Sequence, residues 1–180
     1  PNDRGRAVEE RVAAMLTEFG WDQPDAPVRL LSFSVKALRR FGWLLPGMER
    51  TLLIEDDLGR WRDGKLPDGV RIVGPDLTLI KEDPEFVERS RQRGHQVHVW
   101  SANEIDDIKL CHDLGVTGFT TDYPDRVAAV WPHRVVLRER RPVFEQIVDG
   151  HSRRDRVRIG NQHVGVEVVA GGALRQVIRD

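Results

Sequence analysis

Gly94-His-Gln-Val-His-Val-Trp-Ser-Ala-Asn-Glu104 and Gly115-Val-Thr-Gly-Phe-Thr-Thr-Asp-Tyr-Pro-Asp125 decide the fold. Val97 and Val99, then Val116 and Phe119, supply short apolar runs of strand type. Between them Ile105, Ile108, Leu110, Cys111 and Leu114 recur at helical spacing. Ser101-Ala-Asn-Glu104 matches a capping box, and Gly115 sits where a helix C-cap glycine belongs. The reading is strand, helix, strand, with Trp100 and Asp122 at the C-terminal strand ends. That is the edge at which α/β proteins place ligands.

The pattern extends in both directions. Val8, Val12, Met15, Leu16 and Phe19 form one helical stripe closed by Gly20. Val28–Phe33 reads as a strand, and Ser34 as the cap of a short helix through Leu38 and Phe41 that Pro46 ends. Thr51–Ile54 is the next strand. Glu55–Gly69 is polar and rich in breakers, so a long loop that is functional or mobile is expected. Val70–Val73 and Leu77–Ile80 are strand-like runs separated by Gly74-Pro75, and Asp83-Pro84 is a helix start with Asp83 as N-cap. About five strands alternating with helices predict a parallel α/β sheet. A complete (β/α)₈ barrel needs about 250 residues, more than the 180 present. Beyond Val130 the pattern changes at Trp131-Pro132. Arg156–Val169 alternates around Gly160-Asn161 and reads as a hairpin.

These motifs resemble, in order, those of the glycerophosphodiester phosphodiesterases. That family shows a Gly-His before its penultimate strand, a Trp-Thr-Val-Asn at the strand's end, and a Gly-Ile-Thr-Asp-like last strand followed by Pro. Here the corresponding residues are Gly94-His95, Trp100-Ser101-Ala102-Asn103 and Gly118–Pro124. Leu30-Leu-Ser-Phe33 resembles the Ser-Phe strand end, and Leu44-Leu-Pro46 with Thr51–Ile54 the stretch after it. The resemblance runs from about Pro1 to about Val130. It implies that residues 1–130 are the C-terminal portion of a TIM barrel, with 131–180 a short basic appendage. The family's His-Arg-Gly is not in this chain, and no Glu-x-Asp or Glu-x-Lys occurs in a strand context. The catalytic front half of the barrel is therefore expected outside this sequence.

The implied activity is hydrolysis of glycerophosphodiesters to glycerol 3-phosphate and an alcohol. The implied cofactor is a divalent ion, Ca²⁺ or Mg²⁺, whose ligands lie outside this chain. The implied partners are the diester substrate and the N-terminal half of the barrel. No catalytic and no metal-binding residue is assigned here. Two substrate-binding residues are, Phe33 and Trp100. His98 and Trp100 share one strand face and Val97 and Val99 the other. If the valines meet the outer helices, the indole points into the barrel mouth. Trp100 is then a pocket wall for the alcohol, or else a core tryptophan. Phe33 shares a face with Leu31 and stands beside the substrate or in the barrel core.

Other polar residues read more plainly. His95 and His98, three apart on a strand, lie on opposite faces and cannot grip one ion. His112 and Asp113 belong to a helix surface, and His151 and His163 to the tail without a partner at metal-site spacing. Ser32 is expected to be a satisfied structural hydroxyl, Asp122 a turn former and Asn103 an N-cap in competition with Ser101. Lys81 offers charge to a phosphate or is simply solvated. Lone Cys111 excludes an internal disulfide and reads as a buried thiol.

Charged residues are 32% and hydrophobic ones 39%, with no apolar run long enough for a membrane span. No leader sequence is visible, and localisation stays open. Residues 131–180 hold ten Arg against six acids, near +4; the whole chain is −1, leaving 1–130 near −5. A basic tail can meet nucleic acid or anionic lipid, but no aromatics interleave its arginines, which favours a solvated surface. A non-catalytic interaction module is the rival from another class.

Overall fold

The computed structural model describes residues 3–26, 28–130, 164–170 and 173–176. A first helix, α1 (Asp3–Glu18), leads into β1 (Val28–Ser32), α2 (Val35–Leu44) and β2 (Arg50–Ile54). Then come β3 (Ile72–Pro75), α3 (Leu77–Glu82), α4 (Glu85–Gln92), β4 (Gln96–Trp100), α5 (Ile105–Asp113), β5 (Gly118–Thr120) and α6 (Pro124–Val130). β1 to β5 pair in sequence order and all pairs are parallel. The five parallel strands and their helices form the curled half of a TIM barrel, as expected.

Strand alternation explains the two faces. Val28 and Leu30 pack outward with Leu16, Phe41, Leu45 and Met48 of the flanking helices and loops. Leu52, Val73, Val97, Val99 and Phe119 do the same against Leu38, Ile80, Phe86 and Ile108. The opposite positions, Arg29, Leu31, Gly74, His98, Trp100 and Gly118, fall on the concave side. Curl follows from a distance. Neighbouring strands lie about 4.8 Å apart, so β1 and β4 would stand about 14 Å apart in a flat sheet, with side chains perpendicular to it. Yet Arg29 Nη1 of β1 reaches His98 Nδ1 of β4 at 3.2 Å.

Local chemistry sets the boundaries. Ser34 caps α2 through its hydroxyl, which accepts from Ala37 N–H at 3.3 Å. Gly94 and Gly115 leave α4 and α5 with φ of 79° and 80°, the left-handed region that C-cap glycines supply. Cys111 is buried in the core, and burial, with Asp107 nearby, pushes its thiol up to about 12.

Several expectations are corrected. Leu77–Ile80 is helical, not a strand, because Asp76 accepts from Thr78 N–H at 2.7 Å and starts α3. Gly74-Pro75 lies inside β3 instead of breaking it. Asp83 is the C-cap of α3, and its carboxylate takes Arg89 at 2.6 Å instead of capping α4. The Glu55–Gly69 loop is packed down. Leu58 and Leu66 are buried, Arg60 lies over the Trp61 ring, and Arg93 holds Asp63 at 2.9 Å. On α1 and just after it, Leu16 is buried but Met15 and Phe19 are nearly half exposed, so the stripe is narrower than its spacing suggests.

The sheet continues into the tail. β6 (Val164–Ala170) pairs antiparallel with β1, and β7 (Ala173–Gln176) antiparallel with β6. The hairpin expected around Gly160-Asn161 falls largely outside the described residues, as do His151 and His163.

Candidate functional site

The C-terminal ends of β1 and β4 meet at the mouth of the half barrel. Phe33 follows β1 and Trp100 closes β4. Their ring centroids are 5.7 Å apart and their planes meet at 84°, an edge-to-face contact. The indole Nε1–H donates to the Gly74 carbonyl of β3 at 2.7 Å. This bond and the Phe33 contact hold the ring, which stays partly exposed. The peptide between Trp100 and Ser101 is cis. The two aromatics therefore form one wall built from strands that are not neighbours.

Beside that wall, the two loops that follow β4 and β5 are clasped together. Asn103 Nδ2 donates to Asp122 Oδ2 at 2.9 Å. Its Oδ1 accepts from Asp122 N–H and from the Thr121 hydroxyl, each at 3.0 Å. Arg126 of α6 donates to the Asn103 carbonyl at 2.6 Å, and its guanidinium lies over the Tyr123 ring. Asp122 is thus a loop former, as expected, but Asn103 is not a helix cap. The expected capping box is absent as well: Glu104 occupies the N-cap of α5 with no side-chain capping bond, its carboxylate accepting from Arg126 at 3.2 Å instead. Asn103→Ala removes three side-chain bonds that tie the two loops together. A loss of about 1–2 kcal/mol is expected from leaving such partners unmet, readable as a shift in urea midpoint with unchanged slope. An unmoved midpoint would show that solvent replaces the clasp.

Deeper in the concave side, His98 is 6% exposed. Its neighbour Arg29, which is anchored on Glu49 at 2.7 Å, can only donate, so His98 Nδ1 accepts and the ring is neutral. Burial first, and the Arg29 charge second, hold its pKa down to about 3. Enclosed and held neutral around pH 7, the imidazole serves here as a packing element. The ring rests on Gly118, where a Cβ would stand only 2.8 Å from it. Arg29 was not singled out by sequence. The available signal was a charge between Val28 and Leu30 in an otherwise apolar strand.

The remaining candidates lie apart. Ser32 is buried on the outer face and its hydroxyl accepts from Ser34 N–H at 3.0 Å. Lys81 sits on α3, not at a strand end, and pairs with Asp107 of α5 at 2.6 Å; that ion pair argues against the phosphate reading. His95 precedes β4, and His112 pairs with Asp113 on α5. One feature is not apart: Glu55, Asp56, Asp76 and Glu82 line a cleft of about 320 Å³ at the C-terminal ends of β2 and β3, where Asp76 bridges to Trp100. Among the described residues no group of three or more His, Cys, Asp or Glu side chains converges to hold a metal ion. The described donors do not by themselves make the ligand set that the resemblance implies for a divalent ion.

Matched against family models, residues 3–126 fit the glycerophosphoryl diester phosphodiesterase family. The chain belongs to this family. A probable glycerophosphodiester phosphodiesterase 1 of Mycobacterium tuberculosis is 32% identical over 129 residues, 69% of this chain and 47% of the relative. The human lysophospholipase D GDPD1 is 30% identical over 111 residues, 47% of this chain and 34% of the relative. The chain thus spans about half the length, or less, of the curated phosphodiesterases it matches. Among solved structures, a glycerophosphodiester phosphodiesterase from Parabacteroides distasonis superposes with a TM-score of 0.58 at 19% identity, over 71% of this chain and 51% of that one. At that identity the likeness speaks for the barrel fold. The phosphodiesterase match closes near the end of the parallel sheet, so β6 and β7 lie beyond it. No helix of the described residues is long and apolar enough to cross a membrane.

Proposed function

We propose that this chain forms the substrate-facing wall of a glycerophosphodiester phosphodiesterase, with the reacting groups supplied from outside residues 1–180. The observation that carries the reading is the Phe33–Trp100 pair at the C-terminal mouth of a family-matched half barrel. Active sites of such barrels sit at that face. An edge-to-face aromatic wall offers apolar contact to the glycerol or alcohol side of a diester, and it donates no proton to it. The reaction is hydrolysis to glycerol 3-phosphate and an alcohol. A divalent ion, Ca²⁺ or Mg²⁺, would supply charge neutralisation at the phosphoryl oxygens.

The division of labour is testable directly. The 180-residue chain alone is expected to release no glycerol 3-phosphate from glycerophosphocholine with added Ca²⁺ or Mg²⁺. Metal-dependent release above that of its own Trp100→Ala variant would place the chemistry inside this chain and overturn the assignment.

In an active phosphodiesterase carrying this segment, Trp100→Ala is expected to lower kcat/KM by about 10- to 100-fold. That range corresponds to losing about 1–3 kcal/mol of apolar contact in the transition state. The unfolding midpoint should move less than for a core tryptophan, whose truncation costs roughly 3–5 kcal/mol. An unchanged kcat/KM with a large loss of stability would reassign Trp100 to the core.

A further inference from the structure

The outer edge of β1 is occupied, and the occupant comes from the chain's own tail. Leu30 N–H donates towards β2, to Glu49 O at 3.1 Å. Successive N–H groups of a strand point to opposite sides, so Arg29 and Leu31 direct theirs to the other edge. On that edge runs β6, antiparallel, with Glu167 facing Arg29 and Gly165 facing Leu31. β6 continues its pairing into β7, and β7 comes against β5 at the far side of the parallel sheet. The β6–β7 pair therefore touches both ends of the five-stranded sheet.

We propose that β6 and β7 are the closing element of this half barrel, a guard that keeps other strands off the β1 edge. An open edge presents a row of unpaired N–H and C=O groups to any passing strand. α1 leads into β1 from the helical side. A strand entering through α1 by the usual right-handed crossover would reach this same edge, parallel to β1. β6 and such a strand exclude each other. The guard lies outside residues 3–126, so the family match does not provide it. The inference rests on the pairing alone and stands or falls independently of the phosphodiesterase reading.

Native-state amide exchange on the whole 180-residue chain tests it. Arg29, Leu30 and Leu31 amides should all exchange slowly, on the order of 100-fold or more below free-chain rates. Gly165→Pro deletes the N–H that faces Leu31. In that variant Arg29 and Leu31 should speed up at least about tenfold, while Leu30, held by β2, keeps its rate. Free-chain exchange at Arg29 and Leu31 beside a protected Leu30 in the parent chain would overturn the proposal. So would protection that Gly165→Pro leaves unchanged; a doubled mass by light scattering would then show a second copy on the edge. The parent-chain measurement decides even if the variant fails to fold.

Discussion

Between pH 6.5 and 3 the protein is expected to lose stability because of one buried side chain, His98. Its folded pKa is held down to about 3 by burial and by Arg29, while in the unfolded chain it titrates near 6.5. In that window the unfolded state binds a proton that the folded state refuses. Stability is then fully present above pH 6.5 and falls with pH, by at most about 1.4 kcal/mol per unit. Across the window the loss is on the order of several kcal/mol, a sizeable share of the 5–15 kcal/mol typical of a domain. His98→Gln keeps an acceptor for Arg29 and removes the titration. Urea midpoints at pH 7, 5.5 and 4.5 should fall less steeply in the variant than in the parent chain. His95, also lowered by burial, leaves a residual slope. Parallel curves for the two proteins would show that the imidazole takes up its proton in the folded state.

Gly118→Val is expected to cost about 3 kcal/mol, at the upper end of the usual overpacking range. A Cβ at Gly118 would lie 2.8–2.9 Å from three atoms of the His98 ring. The ring cannot swing aside freely, because Arg29 holds its Nδ1 and Glu49 holds Arg29. The melting temperature should fall by roughly 6–12 °C for a protein of this size. Trimming the obstacle should relieve the strain, so the double variant His98→Ala, Gly118→Val should lose less than the sum of the two single losses. Strict additivity would mean that residue 118 and the ring do not compete for space.

Much was legible in the chain itself. Valines at 97 and 99 with His98 and Trp100 between them fix which side of β4 meets the helices, since a strand has period two. Gly94 and Gly115 mark helix ends because a left-handed backbone favours glycine there. Ordered motifs from Ser32-Phe33 to Asp122 mark the family, and several of them lie at C-terminal strand ends, the face at which such barrels place ligands. Breakers were less dependable. Gly74-Pro75 stays inside β3, and an Asp at position 76 turns an apolar run into a helix, because capping outweighs the propensity of four residues.

Sequence alone determined the period, the strand ends and the family. Only the tertiary structure decided what those ends touch. Curling the sheet carries Phe33 across two intervening strands to Trp100 and Arg29 to His98, contacts with no short-range signal. The register of β4 beside β5 turns Asn103 from a candidate cap into a clasp on Asp122, and the β1 edge is left to β6. Hydrogen-bond partners at a strand end depend on which loop the curvature brings alongside, and curvature belongs to the whole sheet, not to any one segment of it.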